Sequence, residues 1–474
     1  MSRRAALLAA TALALAAAPA RAGVRPAYGG VLRLAVPGAP RSPDPARAEN
    51  PADVLAVRAT AGALLEVNAA GRLAPGVLAE VPTPAEDGRT WRLRVRPGLR
   101  TAAGAPITAA DVAAALARLL SFGAASPHAW MALPLDGADE VVDGRRERPA
   151  GLRVDSDAEL TLTLAFPLPE LPWLLALHPC AIPGAGPFAP SPEGTLGAAR
   201  FVANAGHPGG RPYLDAIELV ALDARPAARR LERGALDAVI RPEAAGDGAV
   251  DLPPRAATIA ALNGRRLGGG AAAVRRALAA LDRGELARRF VRGPAAPLPT
   301  LLGPGAPASD ADLGGPATPP PPPPRVRVLV PDDPDQRGLA ARVQVKLFDA
   351  GVHAVLEPAD PPRFAARLRA GDYDVALVTV SIPSWSPPLA AGAIAFAVRG
   401  AAEARRAMAS LAGQAGEPLA IRARTLTREL DVVPLVASGL RLTARREVQA
   451  LLPALEGRGE LGDTWLLGGG AAAP

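Results

Sequence analysis

The sequence predicts an α/β protein of two or three domains. Its 474 residues are too many for one hydrophobic core, and 49% hydrophobic with 21% charged residues is typical of a folded globular chain. Between residues 326 and 380, the strand-like segments "VRVLV", "VHAVLE" and "DVALVTV" alternate with helical patterns that end at Gly351 and Gly371. This alternation predicts a parallel sheet covered on both faces.

The N-terminus has the pattern of a secretory signal. Arg3 and Arg4 precede an apolar run at residues 5–18, and Ala20-Arg21-Ala22 forms a small-x-small cleavage site. The run is shorter than the roughly 20 residues of a membrane-spanning helix, and the residue directly after the cleavage site is not a cysteine. We therefore expect residues 1–22 to be removed and the mature chain to be periplasmic without a lipid anchor. The adjacent arginines leave both general and twin-arginine export open.

Strand and helix patterns follow in order along the mature chain. Val31 to Val36 reads as a strand, and Trp91 to Val95 alternates apolar and polar residues like a half-buried strand. Thr108 is a predicted helix N-cap with Asp111 three residues later, the acidic variant of a capping box. A further alternating strand runs from Leu160 to Leu164. These elements predict mixed α/β structure before the regular unit at 326–380.

The composition argues against a nucleic-acid partner. The formal net charge is +7, but the arginines are interspersed with acidic residues, and aromatic residues are only 3% of the chain. Binding to nucleic acid favours clustered basic residues with stacking aromatics. We therefore expect no nucleic-acid binding.

The residues that carry catalytic or metal chemistry are sparse. Cys180, the single cysteine, lies in the apolar segment "LLALHPCAIPG", which predicts a buried structural thiol and excludes an internal disulfide. The four histidines are far apart in sequence without the paired spacing of a metal site. No G-x-S-x-G elbow and no Gly-Lys phosphate loop is present. We expect no enzyme activity, no metal and no cofactor.

Several segments in a fixed order resemble one protein family. "GAGPF" at residues 184–188, "HPGGRPYLDAIELVAL" at 207–222 and "LERGALDAVI" at 231–240 are similar to the extracellular solute-binding proteins of peptide, opine and nickel ABC importers, solute-binding family 5. The resemblance implies a bilobed periplasmic-binding-protein fold of type II, in the enlarged peptide-binding class, with a hinge between two lobes. It also implies a small-molecule or peptide ligand, ABC transporter permease subunits as partners, and a monomer.

The family pattern predicts how the chain divides. Lobe one is expected to contain residues 23–258 and a C-terminal return at 432–474, and lobe two residues 259–431. Lobe two would include a Pro-rich loop at 316–324 and the strand-and-helix unit at 326–380. The segment "DVVPLVASGLRL" has the apolar character of a strand that crosses between lobes.

A ligand site is expected directly after the third strand of the regular unit, because ligands of α/β sheets bind beyond the carboxyl ends of strands. The segment "TVSIPSWSPPL" at 379–389 supplies Ser381, Ser384 and Trp385, and Arg399 follows as a candidate partner for a ligand carboxylate. The resemblance implies an aromatic residue and an aspartate here. No acid stands between Asp374 and Glu403, which argues against recognition of a free peptide amine.

The sequence thus predicts a receptor that captures a peptide or peptide-like solute and delivers it to an ABC importer. The alternative is a secreted relative with the same fold that imports nothing and acts as a structural or signalling partner. A permease and an ATPase encoded beside the gene would favour the receptor, and their absence would favour the alternative.

Overall fold

The computed structural model describes residues 25–121, 126–193, 198–306 and 325–468. The predicted signal at 1–22 and the Pro-rich loop at 316–324 lie outside the described residues. Within the described part of the chain, no helix is long and apolar enough to cross a membrane.

Strands and helices alternate through most of the chain. The strands are β1 (Val31–Val36), β2 (Ala61–Gly62), β3 (Leu65–Val67), β4 (Leu73–Pro75), β5 (Thr90–Arg94), β6 (Leu152–Val154), β7 (Glu159–Thr163), β8 (Ile182–Pro183), β9 (Phe188–Ser191), β10 (Ala198–Ala203), β11 (Ala216–Ala221), β12 (Ala238–Arg241), β13 (Val250–Asp251), β14 (Ala256–Leu262), β15 (Ala295–Pro297), β16 (Val326–Pro331), β17 (Ala354–Ala359), β18 (Val375–Ser381), β19 (Val432–Ser438), β20 (Arg441–Ala444), β21 (Val448–Gln449) and β22 (Trp465–Leu466). The helices are α1 (Pro51–Thr60), α2 (Ala109–Arg118), α3 (Ala138–Val142), α4 (Leu171–Leu175), α5 (Ala224–Glu232), α6 (Gly264–Leu267), α7 (Ala271–Ala279), α8 (Arg283–Phe290), α9 (Pro334–Asp349), α10 (Pro361–Ala370), α11 (Pro387–Arg399), α12 (Ala401–Leu411), α13 (Gly416–Glu429) and α14 (Leu451–Glu456).

One sheet has seven strands in the order β13-β20-β12-β1-β11-β10-β9. Its central strand β1 is parallel to both neighbours, β11 and β12, and the outer pairs are antiparallel. The alternation of Leu32, Leu34 and Val36 places these side chains on one face, where they pack with residues of α1 and α14. This face therefore forms a core of its own.

The second sheet has six strands in the order β15-β19-β14-β18-β16-β17. The parallel strands β16, β17 and β18 belong to the strand-and-helix unit at 326–380. Successive residues of β14 face opposite sides: Ile259 packs in one core cluster, and Ala260 packs in another with α7 and α9. The strands of this sheet are therefore nearly all apolar, because both faces are covered.

Residues 65–183 contain a smaller antiparallel sheet, β5-β7-β6, next to α2. The predicted cap of α2 is confirmed: Thr108 donates from its main-chain N–H to Asp111 Oδ2 at 2.7 Å and from its hydroxyl at 2.8 Å. This segment shares a continuous core with the six-stranded sheet, where Trp130 and Met408 are both buried. A part of the chain that we expected in lobe one thus packs against α11 and α12.

Two chain segments cross between the large sheets. The chain leaves β13 and enters β14 through residues 252–255, and it returns from β19 to β20 through residues 439 and 440. The two segments run side by side, since Leu252 N–H donates to Leu440 O at 2.8 Å and Arg255 N–H donates to Ser438 O at 3.0 Å. The predicted boundary at 258/259 falls inside β14, and β19 pairs only within the six-stranded sheet. We propose that the lobes meet at these crossing segments instead.

Candidate functional site

A cavity of about 1000 Å³ lies where the two large sheets meet. Its walls come from α1, the β3–β4 hairpin, residues 173–181, both crossing segments, the end of β18 and the residues that follow α14. Pockets of small-molecule binding proteins have volumes of roughly 300–1,000 Å³. The cavity is large enough for a short peptide or a compound of similar size.

One wall is a row of hydroxyl groups at the edge of the six-stranded sheet. Thr258 on β14 is paired with Thr379 on β18, and their Oγ1 atoms lie 3.0 Å apart. Ala256 lies between Ser381 and Ser438 in the neighbouring strands. These two threonines and two serines line the cavity, so the sheet edge offers hydrogen-bond donors and acceptors to a solute.

The structure divides the four predicted site residues. Ser381 and Ser384 lie in the cavity wall, whereas Trp385 and Arg399 do not. Trp385 is half-buried, and its indole N–H donates to Pro254 O at 2.8 Å. It thereby ties the segment after β18 to the crossing segment and positions Ser384. The sequence suggested that Trp385 contacts the ligand. In the structure Trp385 lies behind the cavity wall and supports the segment that carries Ser384.

Arg399 is used within the scaffold. Its Nε donates to Leu430 O at 2.9 Å, and a terminal nitrogen donates to Leu262 O at 2.8 Å. The guanidinium is also 3.8 Å from the Asp431 carboxylate. These bonds join the end of α11 to the end of β14 and to the two residues between α13 and β19, and Arg399 lies outside the cavity. A ligand carboxylate would need other partners.

Two other arginines do face the cavity. Arg58 extends from α1 and donates to Leu455 O at 3.2 Å. Arg255 extends from a crossing segment and donates to Glu456 O at 3.0 Å and to Pro383 O. Burial, followed by the charge of Arg255, lowers the pKa of Arg58 to about 10. Both guanidinium groups are therefore partly removed from water while remaining charged at neutral pH.

A carboxyl pair lies in the same cavity. Glu66 lies in β3, and Glu460 lies after the end of α14. Both side chains line the cavity wall. Burial and then the neighbouring charge of Glu460 raise the pKa of Glu66. Burial of Glu460 acts in the same direction, but hydrogen bonds with His207 and Glu66 hold the pKa of Glu460 below its usual value. Of the two carboxyl groups, Glu66 therefore keeps its proton to the higher pH.

His207 and the glycine corner after it fix Glu460 in place. His207 Nε2 lies 2.9 Å from Glu460 Oε2. Tyr213, beyond that corner, donates from its main-chain N–H to Gly462 O at 3.2 Å, and its ring lies 5.0 Å from that of Tyr28. The segment "GGRPYLD" therefore packs against the chain that carries Glu460.

The remaining wall is largely apolar. Leu55, Leu65 and Leu339 contribute aliphatic surface, and Trp173 and Phe290 contribute aromatic rings. Trp173 is 41% exposed, which is unusual for tryptophan in a folded chain. An exposed aromatic side chain at a cavity wall offers apolar surface to a ligand.

The surroundings of Cys180 and of two histidines are defined by burial and main-chain contacts. Cys180 is buried, and burial raises the pKa of its thiol to about 12, as the prediction of a structural thiol requires. His128 and His178 meet edge to face, and the Nε2 atoms of both lie near Ala48 O, at 2.8 and 3.4 Å. Among the described residues, no group of three or more metal-ligating side chains is present.

A cavity between two α/β units that are joined by two crossing segments defines the class of bilobed periplasmic binding proteins. The family model described as bacterial extracellular solute-binding proteins, family 5 Middle, matches residues 73–323. This match spans more than half of the chain, which therefore belongs to the family, and the predicted resemblance is confirmed.

Two curated relatives match over shorter segments. The periplasmic murein peptide-binding protein MppA of Escherichia coli K12 is 31% identical over 140 residues, 29% of this chain and 25% of the relative. A dipeptide-binding protein of Lactococcus lactis subsp. cremoris is 28% identical over 92 residues, 19% of this chain and 17% of the relative. The chain thus matches a quarter or less of the length of these relatives.

Solved structures match over nearly the whole chain. The murein tripeptide binding protein MppA of Escherichia coli has a TM-score of 0.73 at 18% identity, covering 93% of this chain and 99% of that one. Haemophilus influenzae OppA in complex with RPPGFSPFR has a TM-score of 0.72 at 16% identity, covering 93% and 100%. NikA from Brucella suis in complex with Fe(III)-EDTA has a TM-score of 0.65 at 17% identity, covering 88% and 96%. At these identities the likeness shows the fold alone, and it confirms the bilobed α/β prediction.

Proposed function

We propose that this protein is a periplasmic receptor that captures a peptide or peptide-like solute and delivers it to an ABC importer. The observation that carries the proposal is the cavity of about 1000 Å³ between the two sheets, lined by hydroxyl, charged and apolar groups. Relatives whose names state peptide binding share the fold. The signal pattern at residues 1–22 supports a periplasmic location.

The mechanism requires binding and closure, with no catalytic group. A solute in the cavity contacts the hydroxyl row of one sheet and the wall built by α1 and the residues after α14. A ligand that contacts both sides stabilises the closed arrangement in proportion to its better affinity for that arrangement. The two adjacent crossing segments, at 252–255 and 439–440, are the positions about which such closure would occur. Permease subunits would then recognise the closed form.

A thermal-shift screen of the mature chain tests this proposal. The panel contains short peptides, amino acids, opines, sugars and nickel. Ligand at 100 times its dissociation constant adds about 2.7 kcal/mol to stability, which corresponds to roughly 3 °C for a chain of this size that melts as one unit. We expect at least one peptide or peptide-like compound to raise the melting temperature.

Two variants locate the binding. Ser381→Trp places a large side chain in the cavity and should abolish the shift, whereas Ser121→Trp changes an exposed serine outside the cavity and should keep it. A cooperative melt without any shift across the panel would count against the receptor and favour the non-importing relative. A shift that survives Ser381→Trp would place the ligand elsewhere.

A further inference from the structure

Arg58 and Arg255 are positively charged groups in the cavity without an acidic partner. Among the described residues, neither guanidinium has a carboxylate oxygen within 4 Å, and the hydrogen bonds of both go to main-chain carbonyl oxygens. Arg458, which also lines the cavity, is paired with the Glu456 carboxylate. Arg58 and Arg255 therefore differ from Arg458, whose charge is neutralised by a paired carboxylate.

The two guanidinium groups are held next to each other. Arg58 and Arg255 donate to the oxygens of Leu455 and Glu456, which are consecutive residues at the end of α14. A guanidinium has five N–H donors, and these carbonyl bonds use one in Arg58 and two in Arg255. None of the nitrogens of Arg58 is buried without a partner, so its remaining donors are open to the cavity. Arg255 keeps an exposed surface in the same wall.

The arrangement is electrostatically unfavourable while the cavity holds only water. Burial and the charge of Arg255 lower the pKa of Arg58, and burial lowers the pKa of Arg255, where the nearby Glu456 charge acts in the opposite direction. The Glu456 carboxylate is itself paired with Arg458. Glu460 lies within electrostatic range of Arg58, but its carboxylate is bonded to His207. An anion between the two guanidinium groups would relieve the repulsion and fill the open donors. The planar donor pair of arginine fits a carboxylate in bidentate geometry.

We infer that Arg58 and Arg255 form a carboxylate-binding site, so the solute of this receptor is an acid. This inference rests on the proposed function, and it specifies the class of solute. It also assigns the carboxylate contact that the sequence suggested for Arg399 to two residues from α1 and a crossing segment.

Succinate is the probe for the test, because its two carboxylates match two guanidinium groups. Its effect on the melting temperature is titrated against sodium chloride of equal ionic strength. We expect a saturable rise for the wild type, and a dissociation constant roughly tenfold to a hundredfold weaker in Arg58→Met and in Arg255→Met, since each loses a charge-assisted hydrogen bond. Arg225→Met, at an exposed arginine outside the cavity, is the matched control, and it should bind succinate like the wild type.

The same variants separate ligand binding from a structural role. If the arginines only cap α14, their substitution lowers the melting temperature without changing the succinate affinity, which would overturn the inference. Arg58→Lys keeps the charge but loses the planar donor pair, so it should fold like the wild type and still bind succinate more weakly. The inference would also be overturned if succinate gave no saturable rise in melting temperature beyond the effect of sodium chloride.

Tripeptide probes distinguish the source of the carboxylate and keep the two proposals apart. Ala-Ala-Ala is compared with its C-terminal amide, and Ala-Glu-Ala amide with Ala-Gln-Ala amide. A preference within the first pair indicates a terminal carboxylate, and a preference within the second a side-chain carboxylate. If a neutral or cationic solute binds equally to the wild type and to both methionine variants, the receptor proposal is supported, but the inference that the solute is an acid is overturned. If succinate binds but no compound of the thermal-shift panel does, the carboxylate-binding site is supported, and the proposal of a peptide receptor is contradicted.

Discussion

Glu66 and Glu460 are two neighbouring carboxyl groups in the wall of the cavity. Ionising both groups at once is unfavourable, because both are partly buried and two neighbouring negative charges repel each other. His207 Nε2 lies 2.9 Å from Glu460 Oε2, so the pair is asymmetric: the pKa of Glu460 is held below its usual value, and the pKa of Glu66 is raised. As the pH rises, Glu460 therefore loses its proton before Glu66 does.

The substitution Glu66→Gln tests this protonation state. The folded pKa of Glu66 is above its usual value of 4.5, so its contribution to stability is present below pH 4.5 and is lost as the pH rises toward the folded pKa. Glutamine resembles the protonated form and does not titrate. We expect the free energy of unfolding of the wild type to fall relative to that of Glu66→Gln across this range.

Urea unfolding at a series of pH values measures the difference. Glu86→Gln, at an exposed glutamate outside the cavity, is the control, and its curve should remain parallel to that of the wild type. If the curve of Glu66→Gln is also parallel to the wild type, Glu66 is ionised in the folded protein.

At the scale of elements, the segment after β18 is held from two sides. Trp385 donates to Pro254 O, Ile382 N–H donates to Arg255 O at 2.7 Å, and Arg255 donates to Pro383 O. Gly303 lies behind the Trp385 ring, where an added Cβ would be 3.1 Å from its Cε3 atom. The position of Ser384 and Arg255 therefore depends on a packed tryptophan that does not contact the cavity.

Gly303→Ala tests this support, with Gly305→Ala as its matched control. Both glycines have positive φ, +110° and +87°, so both substitutions carry the backbone cost of about 1–2 kcal/mol. Only the new Cβ at position 303 meets the Trp385 ring; at 305 nothing lies within 4 Å. We expect Gly303→Ala to lower the melting temperature further than Gly305→Ala and to weaken solute binding. Equal melting temperatures would mean that Trp385 is not held by this contact.

The elements that the sequence predicted are those whose signal is local. The cap of α2 can be predicted from Thr108 and Asp111 alone. The strands at 326–380 can be predicted from apolar runs that alternate with helical patterns ending in glycine. The crossing segments were harder to place, because β14 and β19 pair with each other across 170 or more residues of chain. Apolar character indicated that residues 432–438 form a strand, but it could not indicate to which sheet the strand belongs.

The cavity belongs to the whole molecule, and this is why its charged residues escaped prediction. Arg58 and its carbonyl partner Leu455 are 397 residues apart, and His207 and Glu460 are 253 residues apart. The available signal was weak: Arg58 and Glu66 are single charges in the otherwise apolar segment "VLAVRATAGALLEV". Ser381 and Ser384 were predicted because they follow a recognisable strand, and that rule depends on topology rather than on distant contacts.

At the same scale, the two sheets and their crossing segments explain how a solute would hold the molecule together. One side of the cavity is the hydroxyl row of the six-stranded sheet, and the other side is built by α1 and the residues after α14. A ligand that touches both sides links two units that otherwise meet at the crossing segments and through the core shared by residues 65–183. Binding should therefore rigidify both sides together.

Amide hydrogen exchange of the protein with and without the strongest hit of the solute panel tests this central claim most directly. We predict slower exchange at residues 64–67 and 455–461 on one side and at 379–384 and 438–440 on the other, in the same titration. Ser381→Trp should show no change on addition of the same compound. Protection confined to one side, or to surfaces away from the cavity, would contradict the account of a solute bound between the two sheets.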